Sequence, residues 1–221
     1  MALEINSTPL VSDANLQAYY RFEDNWNDTT ANGYNLTAVN SPTFVAGKFA
    51  KAGDFVVASS QEANRAVASM ANAIVSTTQS WMFWINFSSF FANNYIMGRS
   101  TGGNWFMSCG EGGNIDWASG LSVQHSVTIP ATGEWHHVCF AYNSSTNKIS
   151  SFLNGAVVQN QVSVTGSVSG AGTNFAIGRI GDYAGYGTFS IDDVAMFNRE
   201  IGRADLDLIF PSGSKGYAFF M

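Results

Sequence analysis

The chain has 221 residues, 46% of them hydrophobic and 12% charged, with a formal net charge of −6. That balance excludes a disordered chain. The Lys and Arg residues number only 10 and are scattered singly, which excludes the clustered cationic footprint of a nucleic-acid partner.

Taken in chain order, residues 1–13 form a lead-in. The opening MALEINSTPLVSDANL has no basic stretch followed by an apolar one, so no secretory signal is expected, and no apolar run approaches the ~20 residues of a membrane span. The expected location is a virion or extracellular surface reached by another route, and otherwise the cytoplasm. LQAYYRF at 16–22 alternates, with Leu16, Ala18, Tyr20 and Phe22 on one face, and reads as a strand. DFVVA at 54–58 reads likewise, while the Ala-rich segment 62–75 reads as a short helix or a loop. Further strands are expected at 80–87, 94–99, 104–108, 121–129, 135–142, 148–153, 156–164, 174–179 and 188–197. Turn chemistry such as Ala31-Asn32-Gly33, Gly112-Gly113-Asn114 and Asn154-Gly155 separates nearly all of them. Short strands so punctuated indicate a sandwich or barrel. REIGRADLDLIF, 199–210, reads as one or two helical turns with Gly202 as N-cap and Asp205 three residues on. With no linker and no charge block, a single domain is expected over 14–210, followed by a tail at 211–221.

The stretch GEWHHVCFAYN, 133–143, concentrates residues that could hold a metal. Strand alternation argues against it. Trp135, His137, Cys139 and Ala141 face one way; His136, Val138, Phe140 and Tyr142 face the other. Adjacent histidines on opposite faces cannot share an ion, and His125 is the one remaining histidine, too few for a zinc site. The segment reads as the first strand of a hairpin.

W-H-H-V-C-F-A-Y-N…K-I-S-S-F-L-N-G also resembles the signature hairpin of laminin-G-like jelly rolls, which belong to the concanavalin A-like lectin/glucanase superfamily and are related to pentraxins. LQAYYRFEDNWNDTTANGYNLT resembles the opening strand and loop of that family, VAGKFAKAGDF the stretch after it, and FAIGRIG…GTFSIDDVAMFNREIGRADLDLIF the closing strand and terminal helix. The resemblance implies an all-β, two-sheet antiparallel jelly roll with first and last strands adjacent and a short C-terminal helix. It also implies one structural Ca²⁺ where the opening loop meets the closing strand, at Glu23, Asp28, Asn35 and Asp192, with loop carbonyls 31–35 as companions. Ca²⁺ takes oxygen ligands of these kinds. The pentraxin disulfide pairs a cysteine equivalent to Cys139 with one on the strand matching SWMFWINF, which has none; with Cys109 elsewhere, two free thiols are expected.

Glucanases of this superfamily carry paired carboxylates on one strand, in Glu-x-Asp-x-Glu-like patterns. The glutamates at 4, 23, 62, 111, 134 and 200 form no such pattern, and Asp192 and Asp193, as strand neighbours, should face opposite ways. GSVSG at 166–170 has valine where a nucleophile elbow needs serine. The chain is therefore expected not to be an enzyme, a glycan-active hydrolase or lyase being the weakest reading.

Binding is the stronger expectation, since sugar sites combine an aromatic platform with polar groups on loops of a rigid scaffold. Two Gly-flanked stretches offer this: GGNWFMSCGEGGNIDWASG, with Trp105, Glu111, Asn114, Asp116 and Trp117, and GRIGDYAGYG, with Asp182, Tyr183 and Tyr186. An assembly role is the other expectation. The opening VSDANLQAYYRFED resembles proteins of phages and uncultured microbes, where the fold serves as a virion surface, fibre or decoration module. The tail PSGSKGYAFFM offers Tyr217, Phe219, Phe220 and Met221 as contacts. Expected partners are a glycan or surface protein, capsid or fibre subunits, or further copies of the chain, without nucleic acid and without membrane insertion.

Overall fold

The run SWMFWINF is apolar at almost every position, which suits a strand buried on both faces rather than one with a wet side. In the computed structural model, which describes residues 1–70, 78–99, 106–119, 122–164, 173–180 and 185–211, this run is the middle of sheet A. The described strands are β1 (Leu16–Tyr20), β2 (Thr37–Val39), β3 (Thr43–Ala46), β4 (Lys51–Phe55), β5 (Glu62–Ala66), β6 (Gln79–Asn86), β7 (Asn94–Arg99) and β8 (Phe106–Cys109). They continue with β9 (Asn114–Ser119), β10 (Ser122–Thr128), β11 (His136–Asn143), β12 (Lys148–Leu153), β13 (Ala156–Ser163), β14 (Asn174–Ile177) and β15 (Phe189–Phe197). One α-helix, α1 (Arg203–Ile209), follows. Sheet A runs β13-β12-β11-β6-β15-β4-β3, with β1 also pairing β15; sheet B runs β10-β9-β8-β7-β14-β5-β2. Every pairing is antiparallel, and the first and last strands are neighbours. The molecule is an all-β jelly-roll sandwich.

The alternation read in GEWHHVCF holds. Val138, Phe140 and Tyr142 enter the core between the sheets, with Trp81, Phe83, Ile85 and Trp117. Cys139 and Ala141 point outward with Met82, Trp84, Tyr19 and Phe197 into a second cluster on the far side of sheet A. Two three-ten turns of the lead-in, Ile5–Ser7 and Pro9–Ser12, cover that cluster with Ile5 and Leu10, and α1 covers it with Leu206 and Ile209. The lead-in and helix are tied together, Leu3 N donating to the Ile209 carbonyl at 2.8 Å. Arg199 spans the same seam, bonding Asp13 and Asp205 at 2.7 Å each. Gly202 caps α1, its N–H donating to Asp205 Oδ2 at 2.9 Å, the half of a capping box that glycine permits. Cys109 lies in the inter-sheet core and Cys139 in the outer cluster, and both are free thiols.

Several boundaries differ from the sequence reading. The strand expected at 54–58 is β4, ending at Phe55 before a three-ten turn at Val57–Ser59. The Ala-rich 62–75 segment begins as a strand, because β5 is paired by β14 on one side and β2 on the other, which overrides helix propensity. Residues 114–119, expected as loop, are the strand β9. The closing strand carries a bulge. Ile191 faces the inter-sheet core, as does Val194, so one extra residue intervenes, and Asp193 has φ 54°. Register with β6 shifts between Asp192 and Ala195 at this point. The bulge lies where β15 exchanges its neighbour on that side, from β4 at 189–191 to β1 at 194–197.

Candidate functional site

The residues expected to bind a glycan are not gathered. Trp117 is fully buried, stacked on Trp81 at 6.4 Å and on Tyr142 at 5.9 Å. As part of β9 it points opposite to Asn114 and Asp116, so it offers no platform beside them. Asn114 is exposed and accepts from Thr128 Oγ1 at 2.7 Å; Asp116 is half-buried and accepts from Ser126 Oγ at 2.5 Å, both across the β9–β10 pair. Glu111 is exposed in the preceding turn. Tyr186 lies elsewhere, under the Arg179 guanidinium at 5.3 Å, with Arg179 also bonding Glu62 at 3.3 Å. The β8 and β7 strands separate β9 from β14, whose end leads to that group. Trp105, Asp182 and Tyr183 lie outside the described residues, as do Tyr217, Phe219, Phe220 and Met221.

The expected Ca²⁺ residues divide into two pairs. Asp28 is buried and accepts four hydrogen bonds: from Tyr19 N (3.0 Å) and Thr30 N (2.9 Å) at Oδ1, and from Tyr34 N and Thr30 Oγ1 (2.8 Å each) at Oδ2. Asn35 Oδ1 accepts from Asp28 N at 3.0 Å. These two side chains hold the opening loop onto β1, and their oxygens are occupied. Asp192 is different. It is 1% exposed, accepts from Phe49 N at 2.9 Å, and burial, with Asp193 and Glu23 adding to it, pushes its carboxyl up to about 8. Asp193, in the bulge, also turns outward, contrary to simple alternation. It accepts from Ile5 N at 3.0 Å and from the Tyr19 hydroxyl, pinning the lead-in to sheet A. Among the described residues, no three His, Cys, Asp or Glu side chains gather as a metal cage.

The outer face of sheet A beyond α1 carries two neighbouring hollows. The first, about 370 Å³, is floored by a polar row across three strands, Asp54 of β4, Ser190 of β15 and Asn86 of β6. Ser190 Oγ donates to Asp54 Oδ1 at 2.7 Å. The second, about 300 Å³, is lined by Ala2, Lys48, Trp84, Glu134, Trp135, His136, Asn154 and Phe210. The two adjoin: Asn86 and Trp84 are successive outward residues of β6, and Gly133 and Glu134 are consecutive.

The second hollow is built by the signature hairpin. His137 pairs with Trp84 across β11 and β6. The Asn154-Gly155 turn joins β12 to β13 in left-handed conformations, φ 50° and 76°. Asn154 then clamps His137, its N donating to the His137 carbonyl at 2.8 Å and its Oδ1 accepting from His137 N at 2.9 Å. Gly155 is required there, since a Cβ would lie 2.6 Å from Phe210. Around Trp84 pack Phe49 at 6.0 Å, Phe210 at 5.8 Å and His137 at 5.2 Å, with Lys48 Nζ 4.3 Å over its ring. The result is a concave surface, floored by buried Trp84, that combines the half-buried Trp135 indole with Lys48, Glu134, His136 and Asn154. The sequence reads 135–142 as the first strand of a hairpin and gives Glu134 no role. Long-range pairing with Trp84 and the Asn154 turn makes Glu134-Trp135-His136 a pocket wall, and no local pattern signals that.

The model of a family described as the concanavalin A-like lectin/glucanases superfamily matches residues 60–207. No curated protein matches the sequence significantly. Among solved structures, the fold is similar to domain 4 of AbnA, a GH43 extracellular arabinanase from Geobacillus stearothermophilus, in complex with arabinotriose. That likeness has a TM-score of 0.71 at 20% identity over 88% of this chain and 98% of that one. The binding domain of Paraclostridial Mosquitocidal Protein 1 is similar at TM-score 0.70 and 15% identity, over 89% of this chain and 52% of that one. The binding domain of Botulinum Neurotoxin DC in complex with SialylT is similar at TM-score 0.68 and 13% identity, over 90% and 52%. The chain thus spans about half the length of each toxin binding domain. With the matched segment covering most of both sheets and α1, the chain belongs to the laminin-G-like family of the concanavalin A-like lectin/glucanase superfamily.

Proposed function

We propose that the chain is a non-catalytic binding module whose ligand is a glycan, taken on the outer face of sheet A at the Trp84–Trp135 pocket. The observation that carries this reading is the pocket itself: half-buried Trp135 beside Trp84, ringed by Lys48, Glu134, His136 and Asn154 on a rigid sheet. Aromatic faces with a few convergent polar groups are the usual make-up of such sites. The solved complexes with arabinotriose and SialylT on this fold support it. A glycan panel tests the reading: wild type should bind at least one member, and Trp135→Ala should weaken that binding tenfold or more with the melting temperature nearly unchanged. Equal binding by both proteins would move the site elsewhere.

Ca²⁺ at the Glu23–Asp192 pair, with backbone carbonyls completing its oxygens, is also part of the proposal. It is favoured by the buried Asp192 carboxyl, which has no cation beside it among the ion pairs of the described residues.

A second reading, assembly into a virion or cell-surface structure, is favoured by the sheet edge. β13, AVVQNQVS, is an edge strand exposed along nearly its whole length, with Val157, Val158 and Val162 outermost and no charge on it. Exposed edges are normally guarded by charge, and an unguarded one suits pairing with a second copy. Light scattering should give a defined oligomer that Val158→Lys reduces to monomer; a monomeric wild type would remove this reading.

A further inference from the structure

Lys48 is the feature of the pocket that a neutral sugar leaves unexplained. It sits partly dehydrated over Trp84, and burial lowers its ammonium below the ordinary lysine range. No carboxylate pairs with it among the described residues, although the protein is acidic overall. Around it, buried polar atoms lack partners. Trp84 Nε1 makes no hydrogen bond and the residue is 3% exposed, whereas the His136 ring is held by Asn154 Nδ2 at 3.4 Å and the Ala131 carbonyl. Behind them, both ring nitrogens of His137, packed against Trp84 and Phe210, are unpartnered as well. Buried donors left unmade are costly, and native interiors rarely leave several together. An unpaired, half-desolvated cation adds to that cost. Hydroxyls alone would leave the charge of Lys48 uncompensated. A carboxylate would compensate it.

We propose that the Lys48 end of this pocket receives the carboxylate of an acidic sugar, a uronate or a sialate, with the sugar ring against Trp135 and its hydroxyls on Glu134 and Asn154. This rests on the glycan-binding reading above and specifies its ligand class. Lys48 supplies the charge over Trp84, and Asn154 is already fixed by its two bonds to the His137 backbone. Glu134, on the same rim, accepts hydroxyls and disfavours a second anionic group, which limits the ligand to one carboxylate per ring in the pocket.

Calorimetry on the full chain tests this with trigalacturonate, sialyllactose and the carboxyl-reduced form of each, for wild type and Lys48→Gln. At least one acid should bind wild type tenfold or more tightly than its reduced counterpart, and the arm that responds identifies uronate or sialate. In Lys48→Gln that preference should fall to within about twofold, with the fold retained as judged by melting temperature. Equal binding of acid and reduced forms by wild type would overturn the acidic assignment while leaving the glycan reading intact, as would a preference that survives Lys48→Gln. Absence of binding by every sugar, acidic or neutral, in this and a broad panel would overturn both.

Discussion

A carboxylate accepting four hydrogen bonds has no lone pair left for a cation, and Asp28 is in that state. Its role is to replace a missing stretch of sheet, tying the loop after β1 back onto β1. Removing it leaves buried N–H groups of Tyr19 and Tyr34 unmade, so Asp28→Ala should cost about 3 kcal/mol, read as a melting temperature lower by roughly 6–12 °C. Added Ca²⁺ should not rescue the variant. Asp192 should behave in the opposite manner. If the ion sits with Glu23 and Asp192, added Ca²⁺ raises the wild-type melting temperature and chelator reverses it, while Asp192→Asn is insensitive to both. Identical wild-type melts in Ca²⁺ and chelator would remove the ion.

The β12–β13 hairpin joins fold to pocket at the level of elements. Its Asn154-Gly155 turn supplies the clamp on His137 and, through the absent Cβ of Gly155, the room for Phe210. Gly155→Ala combines a strained φ of 76° with a Cβ 2.6 Å from that ring. It should therefore destabilise by about 2–4 kcal/mol and loosen α1 first, which amide exchange at 203–209 would report; uniform protection loss would place the strain elsewhere. This turn, the alternation of β11 and the capped helix were all legible in sequence, because each depends on residues within a few positions of one another. What was not legible depends on distance. The bulge at Asp192–Asp193 inverts the alternation rule at the two positions where it was applied, and its cause is the exchange of β4 for β1 beside β15. Trp117 read as a loop aromatic because the Gly112-Gly113 pair suggested a longer turn, whereas β9 starts at once and turns the indole inward. The pocket joins Lys48, Trp84, Trp135 and Asn154, residues from four separate stretches that only the sheet order brings together.

Across the molecule, sheet A is a shared wall with a hydrophobic cluster on each side, and each cluster contains a buried histidine. His125 stands in the inter-sheet core, edge-on to Phe140 at 6.1 Å and bonded through Nε2 to Ser151 Oγ at 2.7 Å. His137 stands in the outer cluster between Trp84 and Phe210. Burial holds the first down to about 4 and the second to about 3, so both are neutral in the folded protein well below the ordinary histidine value of 6.5. The unfolded chain takes up these protons first. Their contribution is therefore fully present above about pH 6.5 and is lost as pH falls toward the folded values, by about 3–5 kcal/mol for each histidine at the limit. Since the two sit on opposite sides of one wall, acid attacks both clusters and offers neither as a refuge. Denaturant melts between pH 7 and 4 should show stability falling steadily below pH 6.5. His137→Gln, which cannot take up the proton, should flatten its share of the slope even if it lowers stability at pH 7. An unchanged slope in both His137→Gln and His125→Gln would assign the acid sensitivity to the carboxylates instead.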